Sequence, residues 1–321
     1  MKADRCKVSI WIAFLSGLVF VSFPVAAAKF SDWSEPVNLG RIVNSEFDEF
    51  LPAISRDGRS LYFTSTRPGG FGGEDIWVSQ RTSRDATWGT PMNLGPIVNS
   101  AGLERSPGLS RDGHYLFFAT NRPGGFGSLD IWVSWRANKH DDFGWQPPVN
   151  LGQGVNSPAS DFGPTYFENN DAGIRNLFFA SSRPGGAGGI DIYVSALAAD
   201  GSFGPAQPVR DLNSPNNDFR PTISRNGLEL FFDSSSPGLG PSTGRDLWVS
   251  TRRSVGEPWS TPVNLGSPVN TAEFDEALPA LSSNGRELFF SSSNRPGGVG
   301  GSDLYLSTRT RPKKAEKRRL N

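Results

Sequence analysis

The feature that most constrains this chain is a unit of about 56 residues that occurs five times. The segment Trp33–Gly40 (WSEPVNLG) returns at Trp88, Trp145 and Trp259, and a weaker copy starts at Phe203. One such unit cannot bury its apolar face alone, so neighbouring units must stack against each other. The repeat therefore predicts a single body built from five similar modules, which extend near 33–87, 88–144, 145–202, 203–258 and 259–308.

Each copy contains four short segments with strand character. In the first copy they are the tryptophan segment itself, Pro52–Ser55, Leu61–Ser65 and Asp75–Ser79, which are rich in aromatic and branched residues. Asp-Gly or Asn-Gly dipeptides, such as Asp57-Gly58, provide tight hairpin turns between the strands. Four strands in each of five repeats predict an all-β fold, a single five-bladed β-propeller of four-stranded blades.

The order of the segments predicts how the ring closes. The first copy opens with the tryptophan segment, whereas the fifth copy ends after its third strand, Asp303–Ser307. The N-terminal segment is therefore available to complete the last blade, where it would cover a sheet edge that is otherwise exposed.

The N-terminus has the pattern of an export signal. Basic residues Lys2, Arg5 and Lys7 precede an apolar run to Phe23, and three alanines end at Ala28. We expect residues 1–28 to be a signal peptide, with an uncleaved anchor as the alternative, and the protein to be periplasmic or secreted. No second apolar run follows, so no integral membrane segment is expected after cleavage.

Composition excludes several classes of function. The single cysteine, Cys6, and the two histidines, His114 and His140, leave no set of residues for a disulfide, a thiolate site or a multi-histidine metal centre. We therefore expect no metal and no cofactor. Residues 29–308 carry 22 basic and 30 acidic residues, while a basic tail, expected to be disordered, occupies 309–321. An acidic domain argues against a nucleic-acid partner.

The repeat also resembles a known family. The pattern Pro-x-x-Ser-x-Asp-Gly-x-x-Leu-x-Phe, followed by an arginine and then Asp-Ile-Trp-Val, is similar to the WD40-like repeat of bacterial TolB-type periplasmic propellers. The resemblance extends over all five copies, roughly residues 33–309. It implies a propeller that binds other proteins of the cell envelope.

Charged residues recur at two fixed positions, an acid three residues before a proline and an arginine that opens a glycine-rich loop. Because loops alternate between the two faces of a blade, both positions are predicted on one rim, where they would bind a cationic or polar ligand. The candidates, to which we add Asp233, are Glu49, Glu104, Asp161, Asp218, Glu276, Arg67, Arg122, Arg183 and Arg295. Alternatively, each arginine pairs with a carboxylate, either the next blade's acid or the aspartate that follows its loop, and holds the loops together.

Copy four departs from the repeat. Ser236 stands where the other copies have arginine, Arg245 directly precedes Asp246, and Asp233 replaces a small residue. In one interpretation Arg245 takes over the partner of the missing arginine. In the other, Asp233 belongs to an acidic site that is present on one side of the ring only.

These patterns favour a non-catalytic, monomeric, exported propeller that acts as a protein-interaction module of the bacterial envelope and has no enzymatic activity. Its partner would be an envelope protein or a cell-wall glycan. The alternatives are a glycan-binding propeller and a five-bladed glycoside hydrolase that uses Asp161, Asp218 and Asp233. The repeated tryptophans either stack on sugar rings or form the core between blades.

Overall fold

The computed structural model describes residues 30–238 and 244–311. The expected signal peptide and nearly all of the basic tail lie outside these ranges, as does most of a loop of copy four, residues 239–244, which the sequence indicates is extended relative to the other copies. Residues 32–310 form one compact unit, and residues 30, 31 and 311 belong to a second unit, in which the Arg311 guanidinium lies 5.6 Å from the Phe30 ring centroid. No helix within the described ranges is long and apolar enough to cross a membrane.

Within the described residues, twenty strands form five antiparallel four-stranded sheets. Blade one consists of β2 (Glu49–Ile54), β3 (Ser60–Ser65), β4 (Asp75–Gln80) and β5 (Met92–Asn93). Blade two consists of β6 (Glu104–Leu109), β7 (Tyr115–Thr120), β8 (Asp130–Trp135) and β9 (Val149–Asn150). Blade three consists of β10 (Asp161–Asn169), β11 (Ile174–Ser181), β12 (Asp191–Ala196) and β13 (Gln207–Pro208). Blade four consists of β14 (Thr222–Ile223), β15 (Glu229–Ser234), β16 (Asp246–Thr251) and β17 (Val263–Asn264).

Blade five closes the ring with a strand from the other end of the chain. It contains β18 (Asp275–Leu281), β19 (Glu287–Ser293) and β20 (Ser302–Thr308), and its fourth strand is β1 (Val37–Asn38). Val37 lies opposite Leu306, and Asn38 lies opposite Tyr305. The predicted five-bladed propeller and its closure by the N-terminal strand are therefore confirmed.

The repeated tryptophans pack between blades. The ring of Trp145, which is 2% exposed, lies edge-on to Tyr62 of blade one, with 6.4 Å between the ring centroids. The Arg136 guanidinium covers the same indole at 4.2 Å from its centroid. Trp33 and Trp88 make the same kind of edge contact with phenylalanines of neighbouring blades. This geometry matches the core role considered above, because aromatic edge contacts add to the apolar area that is buried.

The innermost strands bend sharply where the blades meet at the channel. Leu51, Ser106 and Leu278 adopt a left-handed backbone with φ near 60°, and Gly163 adopts it in blade three. A hydroxyl of the neighbouring blade accepts the N–H of two of these residues, as Thr64 does from Ser106 at 3.2 Å.

Candidate functional site

The acidic residue that starts each innermost strand lies buried inside its own blade. Glu49 is 0% exposed, and Ser45 donates to it through both its backbone N–H and its hydroxyl, each at 2.6 Å. The Arg67 guanidinium lies 2.9 Å from the same carboxylate. Equivalent pairs at 2.5–3.2 Å join Arg122 to Glu104, Arg183 to Asp161, and Arg295 to Glu276.

Each of these arginines lies in a defined seat. Arg67 donates to the carbonyl oxygen of Val43 at 2.5 Å, and its guanidinium carbon lies 5.2 Å from the Phe63 ring centroid and 5.4 Å from that of Trp77. The seat therefore combines a carboxylate, a backbone carbonyl and two aromatic walls, which suits a planar cation. Arg122 in blade two makes the same set of contacts.

This arrangement corresponds to the alternative in which each arginine holds a carboxylate, although the partner is the acid of the same blade. The aspartates that follow the loops have another task, because Asp75 accepts the backbone N–H of Phe71 at 2.8 Å. In blade five, burial raises the pKa of Glu276 to about 7 despite its contact with Arg295. The binding role of the whole rim stays a prediction, and four of its five acids are covered by arginine.

Blade four lacks the arginine, and a cavity of about 450 Å³ lies at that position. Ser236 replaces the arginine, and its hydroxyl donates to Ser214 at 2.9 Å. The counterparts of the seat all line the cavity, namely Asp218, Leu212, Ser234, Phe232 and Trp248. Asp211 and Trp259 line it as well.

Asp218 differs electrostatically from the other ring acids. It is 1% exposed and accepts two hydrogen bonds at 2.6 Å, from the Ser234 hydroxyl and the Ser214 backbone N–H. Within the described ranges no basic side chain forms an ion pair with it. Burial raises its pKa, and the charge of Asp191 acts in the same direction. The cavity therefore contains a carboxyl group that holds its proton to a higher pH than an ordinary aspartate.

Asp233 lies elsewhere, buried between blades four and five. It is 0% exposed, its Oδ2 lies 2.9 Å from the Arg245 Nη1, and burial raises its pKa to about 6. Arg245 has therefore not replaced the missing arginine as the partner of Asp218. It pairs with the aspartate that is itself peculiar to this blade.

The channel contains a residue that the sequence interpretation missed. Arg220 of blade four is 3% exposed, and its Nη2 donates to the carbonyl oxygens of Pro52 at 2.7 Å and Pro107 at 2.8 Å. It thus links blade four to blades one and two, and burial lowers its pKa to about 9. A signal was present, because the other four copies have Leu51, Ser106, Gly163 and Leu278 at this position.

A second, larger cavity of about 800 Å³ lies on the opposite, hairpin face between blades one and two. Basic residues dominate its lining, among them Arg56, Arg81, Lys139 and His140. No cluster of histidine, cysteine or carboxylate side chains suited to a metal ion occurs in the part of the chain that the structure describes.

Several solved enzyme structures have a fold similar to that of this chain. No family model and no curated protein matches the chain. An α-L-arabinofuranosidase from Lactobacillus brevis is 13% identical, with 84% of this chain and 92% of that chain covered and a TM-score of 0.56. The catalytic domain of the GH62 α-L-arabinofuranosidase of Coprinopsis cinerea is 14% identical, with coverages of 88% and 98% and a TM-score of 0.54. The GH43_1 enzyme of Xanthomonas citri, solved with xylose, is 17% identical, with coverages of 85% and 89% and a TM-score of 0.56.

These comparisons correct two predictions from the sequence. The TolB-type identification is wrong, because the similar structures are five-bladed glycoside hydrolases and no family model supports the WD40-like repeat. The prediction of a non-catalytic protein-interaction module is corrected by the same structures, which are those of enzymes. The resembling motif encodes the hairpin turns that any four-stranded blade needs, so it specified the fold and not the family.

Proposed function

We propose that this protein is an exported glycoside hydrolase that acts on glycans containing arabinose or xylose. The observation that carries the proposal is the blade-four cavity, where a ring carboxyl group meets open space and not an arginine. The similarity to arabinofuranosidases and to an enzyme solved with xylose supports this substrate class. The volume of about 450 Å³ is within the range of small-molecule sites.

The cavity contains the two carboxyl groups that glycoside hydrolysis requires. Asp218 has a raised pKa and is suited to protonate the glycosidic oxygen as the general acid. Asp211 is exposed and accepts the Trp259 N–H at 3.1 Å, and its carboxylate would attack the anomeric carbon or activate water. Trp248 and Trp259 line the cavity and provide apolar surface on which a sugar ring can pack.

The other carboxylates that the sequence offered for this role are less suitable. Asp161 pairs with Arg183 at 2.5 Å, and Asp233 pairs with Arg245 at 2.9 Å. Neither lines the blade-four cavity. Of the three aspartates proposed from the sequence, Asp218 is the one that lines the blade-four cavity.

The test is turnover of aryl α-L-arabinofuranosides, aryl β-D-xylosides and xylo-oligosaccharides by the exported chain. We expect Asp218→Asn to lower kcat at least about 100-fold, because the general acid is lost. Asp57→Asn is the matched control, since Asp57 is an exposed aspartate in a hairpin turn of blade one and should leave kcat unchanged. A folded wild-type protein that turns over none of these glycans would contradict the proposal, and glycan binding without turnover would favour a glycan-binding propeller.

A further inference from the structure

The arginines of the other four blades indicate which chemical group fits the blade-four cavity. In blades one, two, three and five an arginine joins the ring acid to a backbone carbonyl, and aromatic rings lie 4.9–5.6 Å from its guanidinium carbon. In four copies of the repeat, the buried ring acid is therefore paired with the same kind of cation, a guanidinium group. The seat is selective in shape and charge, because a guanidinium is flat and donates along its edges.

Blade four keeps each wall of this seat. Asp218 corresponds to Glu49, Phe232 to Phe63, Trp248 to Trp77, and Leu212, whose carbonyl takes the place of that of Val43, completes the set. The serine that contacts the arginine in blade one, Ser65, has Ser234 as its counterpart.

Among the residues that the structure describes, only the cation is absent from this set. Ser236 is too short to fill the space, and its hydroxyl bonds instead to Ser214 and Asn216. Arg245 cannot serve either, because it is bound to Asp233 at 2.9 Å. Within the described part of the chain, Asp218 is therefore a buried carboxyl group in an aromatic cavity without the arginine that pairs with each of its four counterparts.

We propose that the blade-four cavity is a binding site for the guanidinium group of a small ligand. The group would lie between Phe232 and Trp248 and donate to Asp218 and to the carbonyl oxygen of Leu212. This inference concerns the same cavity as the proposed hydrolase site but does not require hydrolysis. Where the chain does hydrolyse glycans, a bound guanidinium competes with the sugar, because both need Asp218.

The probe is ethylguanidinium, titrated into the full exported chain by calorimetry, with ethylurea as the uncharged isostere. We expect one site per chain with a dissociation constant of about 1 mM, and no binding of ethylurea. Ser236→Arg supplies the missing side chain, so it should raise Tm and abolish ethylguanidinium binding. Asp218→Asn should weaken binding at least about tenfold, the effect of losing one charge-assisted hydrogen bond.

Arg67→Ser is the matched variant, because it empties the same seat in blade one. Its Tm should fall, ethylguanidinium should restore part of the loss, and the stoichiometry should rise to two sites per chain. If Arg67→Ser does not fold, ethylguanidinium binding to the wild type and to Ser236→Arg still tests the proposal. Absence of binding to the wild type, or undiminished binding to Ser236→Arg, would overturn the inference.

The two proposals fail separately. Ethylguanidinium binding without glycan turnover would support the cation site and reject the hydrolase. The second outcome is glycan turnover that is not inhibited by about 10 mM ethylguanidinium, ten times the expected dissociation constant. That result would reject the cation site and leave the hydrolase proposal intact.

Discussion

At the scale of single residues, blade four holds three charged groups whose ionisation the fold has altered. Burial raises the pKa values of Asp218 and Asp233 and lowers that of Arg220. The charge of Arg220 in turn favours the ionised form of Asp233. Shifted pKa values are common at functional sites, and among these three groups Asp218 is the one that lines the blade-four cavity.

Asp233 gives the stability of the protein a definite pH dependence. Its pKa rises from the usual 3.8 to about 6 on folding, so the folded state binds the proton more tightly than the unfolded chain. The stabilisation from this group is complete below about pH 4 and is lost as the pH rises to about 6, with a slope of at most about 1.4 kcal/mol per pH unit. We expect Asp233→Asn to flatten this part of the curve, as measured by urea unfolding at pH 4, 5, 6 and 7.

Glu276 provides the internal control for this experiment. Its pKa is also raised, from 4.5 to about 7, so it contributes a slope of the same sign at slightly higher pH. The single variant should keep this slope, and the additional change Glu276→Gln should remove it. A wild-type protein whose unfolding free energy increases between pH 4 and 6 would contradict the assignment.

At the scale of the strands, the bends at Leu51, Ser106 and Leu278 store a measurable strain in three innermost strands. Ser106 adopts φ of 58°, a region that costs a non-glycine residue about 1 kcal/mol, and its buried hydroxyl has no hydrogen-bond partner among the described residues. Ser106→Gly should therefore raise the unfolding free energy by about 1 kcal/mol. Urea or thermal unfolding would measure the change.

Blade three offers the reciprocal variant. Gly163 occupies the same bend with φ of 66°, and a Cβ there would lie 3.3 Å from the Arg220 Cα. Gly163→Ser should therefore destabilise the protein, while Ser106→Gly stabilises it. If both variants changed the unfolding free energy by the same amount in the same direction, backbone strain at the bends would not be the cause of the change.

The sequence predicted the strands and their turns well because these depend on local chemistry. Asp57-Gly58 and its counterparts specify hairpins regardless of the rest of the fold, and the alternating aromatic segments specify strands. The partners of the charged residues were harder to predict, because they depend on how far a side chain reaches across the ring. Arg220 was overlooked for this reason, since its contacts with Pro52 and Pro107 join residues 168 and 113 positions apart.

At the scale of the whole molecule, the ring depends on the contact between its two ends. Ser34 donates its N–H to the Thr308 carbonyl at 2.8 Å, Ser307 donates its hydroxyl to Ser34 at 2.6 Å, and β1 pairs with β20. Deletion of residues 29–41 should therefore lower Tm strongly, because blade five loses its outer strand and exposes an edge. Differential scanning calorimetry would measure the loss, and a peptide of residues 29–41 added in trans should recover part of it.

The candidate site could be recognised only at this scale. The copies of the repeat identified Ser236 as a departure, but the meaning of the departure required the seat of Arg67 to be seen in three dimensions. The cavity occupies the position at which each of the other four blades holds an arginine side chain. A family motif gave no help here, because the residues that it describes make turns and not the site.

Closure by β1 also determines when the ring can be completed during synthesis of the chain. Strand β1 has to wait for β20, since most of the described residues separate Val37 from Leu306. A nascent chain that stops before Asp303 leaves both edges of the growing ring without a partner. An unfinished copy therefore has two open strand edges, and completion of the final blade removes both at once.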